Sequence, residues 1–133
     1  MEAAIYDGLV KDMCAAVGLA DWKDVARAGH LMVANRIVGL LHRAEDLHDD
    51  TLSIYVEFDS AAHHGLRFYE RLLRENVNPT ETLHGFFGIH PDTDKVVYCA
   101  RMNDARRLSG QDLAAFVEGQ VRDAERLLQT LAN

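Results

Sequence analysis

The sequence predicts an α+β domain in which helices pack against an antiparallel sheet. Apolar residues recur at helical spacing at both ends of the chain, whereas the middle holds short runs rich in Val, Ile, Leu and Tyr, bounded by turn residues. The length of 133 residues and the 48% hydrophobic content fit one domain, residues 1–133, that folds without a disulfide. The predicted order of elements is α-β-β-β-α-β-β-α, a sandwich of a sheet and helices.

The first predicted helix covers residues 2–17. Ile5, Leu9, Met13 and Val17 follow one another at intervals of four, and Gly18 is a favourable residue just after a helix end. The apolar stripe is wide for a helix of this length. Two interpretations stay open: the whole stripe is core, or part of it contacts a partner.

Three strands are predicted next, at residues 30–34, 36–44 and 51–58. Asn35 tolerates a left-handed backbone, so the first two runs can form a hairpin with a tight turn at this position. The third run alternates most clearly, which places its four large apolar side chains on one face: Leu52, Ile54, Val56 and Phe58.

The second half of the chain predicts a helix, a hairpin and a long helix. Ser60 can cap a helix over residues 60–76. Strands at residues 82–90 and 95–102 flank a Pro-Asp-Thr-Asp turn. The last helix covers residues 109–131, where Ser109 and Asp112 resemble a capping box.

Composition argues against several functional classes. The net charge of −7 repels phosphate backbones, which disfavours nucleic-acid binding. No apolar run approaches the length of a membrane span, and charged residues such as Lys11 and Asp12 interrupt the N-terminal region where a signal peptide needs an apolar core. Cys14 and Cys99 stand alone, as is usual for reduced thiols. We therefore expect a cytoplasmic protein that contacts neither membrane nor nucleic acid.

Motifs for catalysis and cofactor binding are missing from the sequence. There is no glycine-rich phosphate loop and no Gly-x-Ser-x-Gly elbow. The seven histidines do not follow zinc-ligand spacing. A Cys99–His84 pair is conceivable, although a cysteine in an apolar strand is more often a core residue. The sequence thus predicts no catalytic residue, no metal and no cofactor, and leaves binding as the default.

Residues 69–76, Tyr-Glu-Arg-Leu-Leu-Arg-Glu-Asn, resemble the helix ending in Leu-Leu-x-x-Asn of the class I type III secretion chaperones, the CesT/Tir-chaperone family. The similarity continues through residues 86–98, which resemble the family's sheet hairpin. It extends to the last helix, where Phe116, Val117, Ala124 and Glu125 fit the family's pattern. Together with the order of elements and the low pI, these motifs identify a resemblance over nearly the whole chain.

This resemblance implies a bacterial, cytoplasmic homodimer without enzymatic activity or cofactor. Such a dimer binds the N-terminal segment of a secreted effector and keeps it soluble and competent for secretion. An alternative is a protein-binding or regulatory dimer of the same fold that has no secretion client.

The resemblance, together with the apolar stripes, also suggests two surfaces. Client contacts are expected on the first helix and the exposed sheet surface, at Ile5, Leu9, Met13, Val33 and Ile37. The dimer interface is expected on the middle helix, at Leu66, Tyr69, Leu72 and Leu73. The alternatives are that Leu9 and Met13 are core residues and that the middle stripe covers only its own sheet.

Overall fold

The computed structural model describes residues 1–60, 64–77 and 83–132. The elements in chain order are α1 (Ala3–Ala16), α2 (Trp22–Ala28), β1 (His30–Val33), β2 (Arg36–Leu41), β3 (Leu52–Ser60), α3 (Leu66–Val77), β4 (Gly85–Ile89), β5 (Lys95–Met102) and α4 (Gly110–Ala132). A 3₁₀ turn at Ala105–Arg107 precedes α4. The predicted α+β class is confirmed.

The described strands form one antiparallel sheet in the order β1-β2-β3-β5-β4, so β1 and β4 are its edges. The long strands β3 and β5 pair in the middle, with Val56 opposite Tyr98. Each predicted hairpin is present, because β1 pairs with β2 and β4 with β5. The sheet therefore joins a three-strand meander to a hairpin.

Helices α1 and α4 pack on each other and cover one face of the sheet. The alternating residues of β3 are buried there as predicted: Leu52, Ile54, Val56 and Phe58. A Cβ atom on Gly110 would lie 2.2 Å from the carbonyl oxygen of Asp12, so the backbones of α4 and α1 touch where α4 begins. On the other face, which we call the open face, large apolar side chains remain exposed: Met32, Ile37, Leu41 and Phe86.

Turns and caps follow the predicted chemistry. Gly18 has φ +77°, and the Leu19 N–H donates to the Cys14 carbonyl at 2.9 Å, which closes the end of α1. Ala34 and Asn35 both have positive φ, as a two-residue hairpin turn of type I′ requires. The Asp112 N–H donates to Ser109 Oγ at 3.0 Å and caps α4.

The structure departs from the predicted boundaries in several places. Strand β2 ends at Leu41, three residues before the predicted end at residue 44. Helix α2 was not predicted, because its apolar stripe is only three residues long (Trp22, Val25 and Ala26), and these residues are partly rather than fully buried against the core. Ser60 does not cap a helix: it is the last residue of β3, and α3 begins at Leu66. Thr82, the predicted start of the second hairpin, lies outside the described residues.

Candidate functional site

The residues expected to contact a client are not all on one surface. Leu9 and Met13 are only 7% and 2% exposed, and Ile5 is partly buried against the same core. Ile37 is 60% exposed but lies on the open face of the sheet. Met13 and Val33, by contrast, line a common groove. Because it is buried, Leu9 has a packing role in this chain. Ile37 is separated from the other expected client contacts because it lies on the opposite face of the sheet.

This groove runs along the sheet edge between α1, β1 and α4, and we call it the β1 groove. Its volume is about 190 Å³. Glu118 is the charged residue of a lining that is otherwise apolar: Met13, Val17, Leu31, Met32, Val33, Ala34, Ala114 and Val117. Val17 and Met32 are half-exposed or more, so apolar surface is open to a ligand here.

Strand β1 also presents backbone groups at the edge of the sheet. The Leu40 N–H donates to the Gly29 carbonyl at 2.7 Å, which makes these two residues a hydrogen-bonded pair. Because bonded and non-bonded pairs alternate in an antiparallel ladder, Leu31 and Val33 also bond to β2, whereas the N–H and C=O of His30 and Met32 face outward. The β1 groove thus lies beside a strand that can accept another strand.

Helix α3 carries two apolar stripes. Phe68 and Leu72 are buried against the sheet, and Tyr69 is partly buried with its ring edge-on to Phe68. Leu66, Leu73 and Val77 form the outer stripe and are 74%, 64% and 86% exposed. Of the expected dimer contacts, Leu66 and Leu73 are therefore available to a partner, and Leu72 belongs to the protomer's own core.

A second pocket of about 150 Å³ lies where β2, β3, α3 and α4 meet. Arg36, at the start of β2, donates to Glu125 of α4 at 3.1 Å, and its guanidinium lies 4.7 Å from the centre of the Phe58 ring. These contacts tie the β1–β2 hairpin to α4 and so support the wall of the β1 groove.

The titratable groups do not form a reactive cluster in the part of the chain that the structure describes. Burial raises the pKa of both Cys14 and Cys99, which keeps them as thiols and makes them poor nucleophiles. The His42 ring stacks on Tyr6 at 3.9 Å, and burial lowers its pKa. No group of three or more His, Cys, Asp or Glu is arranged to hold a metal among the described residues. This arrangement is suited to binding: the groove supplies apolar surface, and the outer side of β1 supplies backbone N–H and C=O groups for hydrogen bonds.

Sequence reasoning missed several residues of the β1 groove. Ala114 and Val117 come from α4, which lies more than half the chain away from β1. The sequence around these two residues does not indicate a groove, because the groove forms only when α1, β1 and α4 pack together. Met32 could have been found, since an apolar residue on the polar side of an alternating strand is unusual.

None of the helices in the described ranges is both long and apolar enough to cross a bilayer. No curated protein sequence matches the chain significantly.

Several solved structures resemble the fold, among them three protein complexes. A complex of ExsC with ExsE matches with a TM-score of 0.75 and 19% identity, over 99% of this chain and 98% of that one. A HopA1–SchA chaperone–effector complex matches with a TM-score of 0.66 and 13% identity, over 96% and 95% of the two chains. An ExoT–SpcS complex from Pseudomonas aeruginosa matches with a TM-score of 0.60 and 15% identity, over 92% and 96%.

At the level of sequence, the profile of the Tir chaperone protein (CesT) family matches residues 29–128, which is most of the chain and runs from the start of β1 almost to the end of α4. This chain therefore belongs to the Tir chaperone protein (CesT) family.

Proposed function

We propose that this protein is a type III secretion chaperone without enzymatic activity that binds the N-terminal segment of a secreted effector. Membership of the CesT family supports this function, as does the similarity of its fold to a chaperone that was solved with its effector. The observation that carries the proposal is the β1 groove, an apolar groove beside an unpaired strand edge.

In this proposal the client segment binds in an extended conformation along β1. Its backbone pairs with the outward N–H and C=O groups of His30 and Met32, and alternate side chains enter the groove. Apolar stretches of the client are thereby covered, while the net charge of −7 keeps the complex soluble. Val33 remains a client contact in this proposal, whereas Met13, which lines the groove but is almost fully buried, and Leu9 support it from the core.

The proposed assembly is a homodimer formed through α3. Leu66, Leu73 and Val77 present a continuous apolar stripe on the outer side of this helix, and a two-fold axis would place two such stripes against each other. Covering these side chains removes apolar surface from water, which favours association. Light scattering should give twice 14.9 kDa at micromolar concentration, and a monomer there would contradict the dimer.

The function is tested by co-expressing the chain with the product of a neighbouring gene that encodes a candidate secreted protein. We expect a stable complex with the client's N-terminal segment. Val17→Asp places a charge in the groove and should weaken this complex at least about tenfold, as truncation of interface hot spots does.

Leu41→Asp is the matched control, because Leu41 is exposed to a similar extent but does not line the β1 groove. This variant should bind within about twofold of the unmodified protein, since substitutions outside the hot spot are nearly neutral. Equal weakening by the two variants would refute binding at the β1 groove.

A further inference from the structure

The edge at β4 is built differently from the edge at β1. The Asn76 side chain, at the end of α3, donates from Nδ2 to the Phe87 carbonyl at 2.9 Å and accepts from the Phe87 N–H through Oδ1 at 2.7 Å. Phe87 is the middle residue of β4. One side chain therefore occupies both backbone groups of this residue.

The register shows that these groups face away from the sheet. The His90 N–H donates to the Lys95 carbonyl at 2.9 Å, which makes residues 90 and 95 a bonded pair. By alternation Gly88 bonds to Val97 and Phe86 bonds to Cys99, so the N–H and C=O of Phe87 point to the free side of β4. The Asn76 carboxamide thus makes the two hydrogen bonds that an added strand would make at the centre of this edge.

Asn76 is held in this position by α3. Phe68 and Leu72 lie at intervals of four before it on the same side of the helix, and both are buried. Helix α3 packs directly on β4. Asn76 is also the asparagine of the Leu-Leu-x-x-Asn motif, so the motif places one leucine in the core and one carboxamide on the strand.

We propose that Asn76 closes the β4 edge to strand addition and so confines pairing with an external strand to the β1 edge. Because an added strand needs a row of free N–H and C=O groups, occupying the central residue of a five-residue edge leaves only its two ends. Closure of β4 follows from the contacts of this chain alone. The restriction of a client to β1 rests on the proposed function.

Hydrogen exchange in the unmodified protein gives the first test. The Phe87 amide should exchange at least about tenfold more slowly than the outward amides of His30 and Met32, because only Phe87 donates to a side chain that replaces a strand. Equal exchange at Phe87 and Met32 would overturn the proposal. This comparison needs no variant and no client.

Asn76→Ala gives the second test, with Arg74→Ala on the exposed side of the same helix as its control. Asn76→Ala should speed exchange at Phe87 about tenfold while Gly88, which bonds to β5, stays protected. It should also form concentration-dependent species larger than those of the unmodified protein in light scattering. Arg74→Ala should do neither.

Two results for the folded Asn76→Ala variant would overturn the proposal. If folded Asn76→Ala keeps a slow Phe87 amide, the carboxamide does not protect the edge. If the Phe87 amide exchanges faster but no larger species forms, α3 closes the edge without Asn76. Should Asn76→Ala not fold, the comparison in the unmodified protein decides. Loss of client binding with a slow Phe87 amide counts against the proposed function alone.

Discussion

The two edges of the sheet have the same chemistry and opposite surroundings. Strand β1 ends the sheet with outward backbone groups at His30 and Met32, beside an apolar groove. Strand β4 ends it with its central residue hydrogen-bonded to Asn76 and with α3 packed on it. Strand edges attract other strands whatever their sequence, so a sheet that binds at one edge needs the other edge blocked. In this fold a single helix supplies the block.

The largest expected effect comes from removing the residue that holds α3 on the sheet. Leu72 is 3% exposed, and Leu72→Ala should lower the free energy of unfolding by about 2–5 kcal/mol through lost burial and a cavity. Denaturant unfolding measures this change. Because α3 would also loosen, the β4 edge should become more like β1, with faster exchange at Phe87.

Leu73→Ala is the control for that variant, because its side chain lies on the outer stripe of α3. In a dimer formed through α3, its effect on stability should depend on protein concentration, whereas the effect of Leu72→Ala should appear at every concentration. If Leu73→Ala changes neither stability nor dimer dissociation, α3 is not the dimer interface.

A smaller effect is expected at the β1 edge of the sheet. Met32→Pro removes an N–H that faces outward, so it should block strand pairing at β1 while leaving the bonds to β2 in place. Client affinity should fall about tenfold further than in Met32→Ala, which removes the side chain but retains the N–H. Isothermal titration compares the two variants, and equal affinities would show that the client does not pair with this backbone.

The smallest effect is expected at the ion pair between Arg36 and Glu125, which ties the β1–β2 hairpin to α4. Arg36→Ala removes the 3.1 Å contact with Glu125 and the stacking on Phe58, and should cost about 1 kcal/mol of unfolding free energy. Arg122→Ala breaks the exposed pair with Glu118 and should change stability by less than about 0.5 kcal/mol. Thermal melts of both variants test this order. A larger loss of stability in Arg122→Ala than in Arg36→Ala would contradict the prediction.

Patterns within single elements were sufficient to predict most of the fold. Alternation in residues 51–58 and the capping of α4 by Ser109 depend on neighbours in sequence, and both are present in the structure. Helix α2 escaped prediction because it is only seven residues long and its short apolar stripe is only partly buried. The start of α3 was misplaced because Ser60 suits a helix cap as well as a strand end.

The candidate site was less accessible to sequence reasoning. A stripe on a helix does not show how much of itself packs within the protomer, so buried Leu72 and exposed Leu73 were predicted alike as dimer contacts. The clamp between Asn76 and Phe87 joins residues whose pairing depends on how α3 lies on the sheet. No local pattern predicts the direction of a carboxamide.

The strand order of the sheet has a consequence for synthesis of the chain. The meander β1-β2-β3 can form as soon as it leaves the ribosome, but β5, the second partner of β3, follows about 40 residues later. At ordinary translation rates of about 5–20 residues per second, one side of β3 therefore stays unpaired for roughly 2–8 s. During that interval the newly made protein itself exposes an apolar strand in need of a partner, and the arrival of β5 ends that exposure.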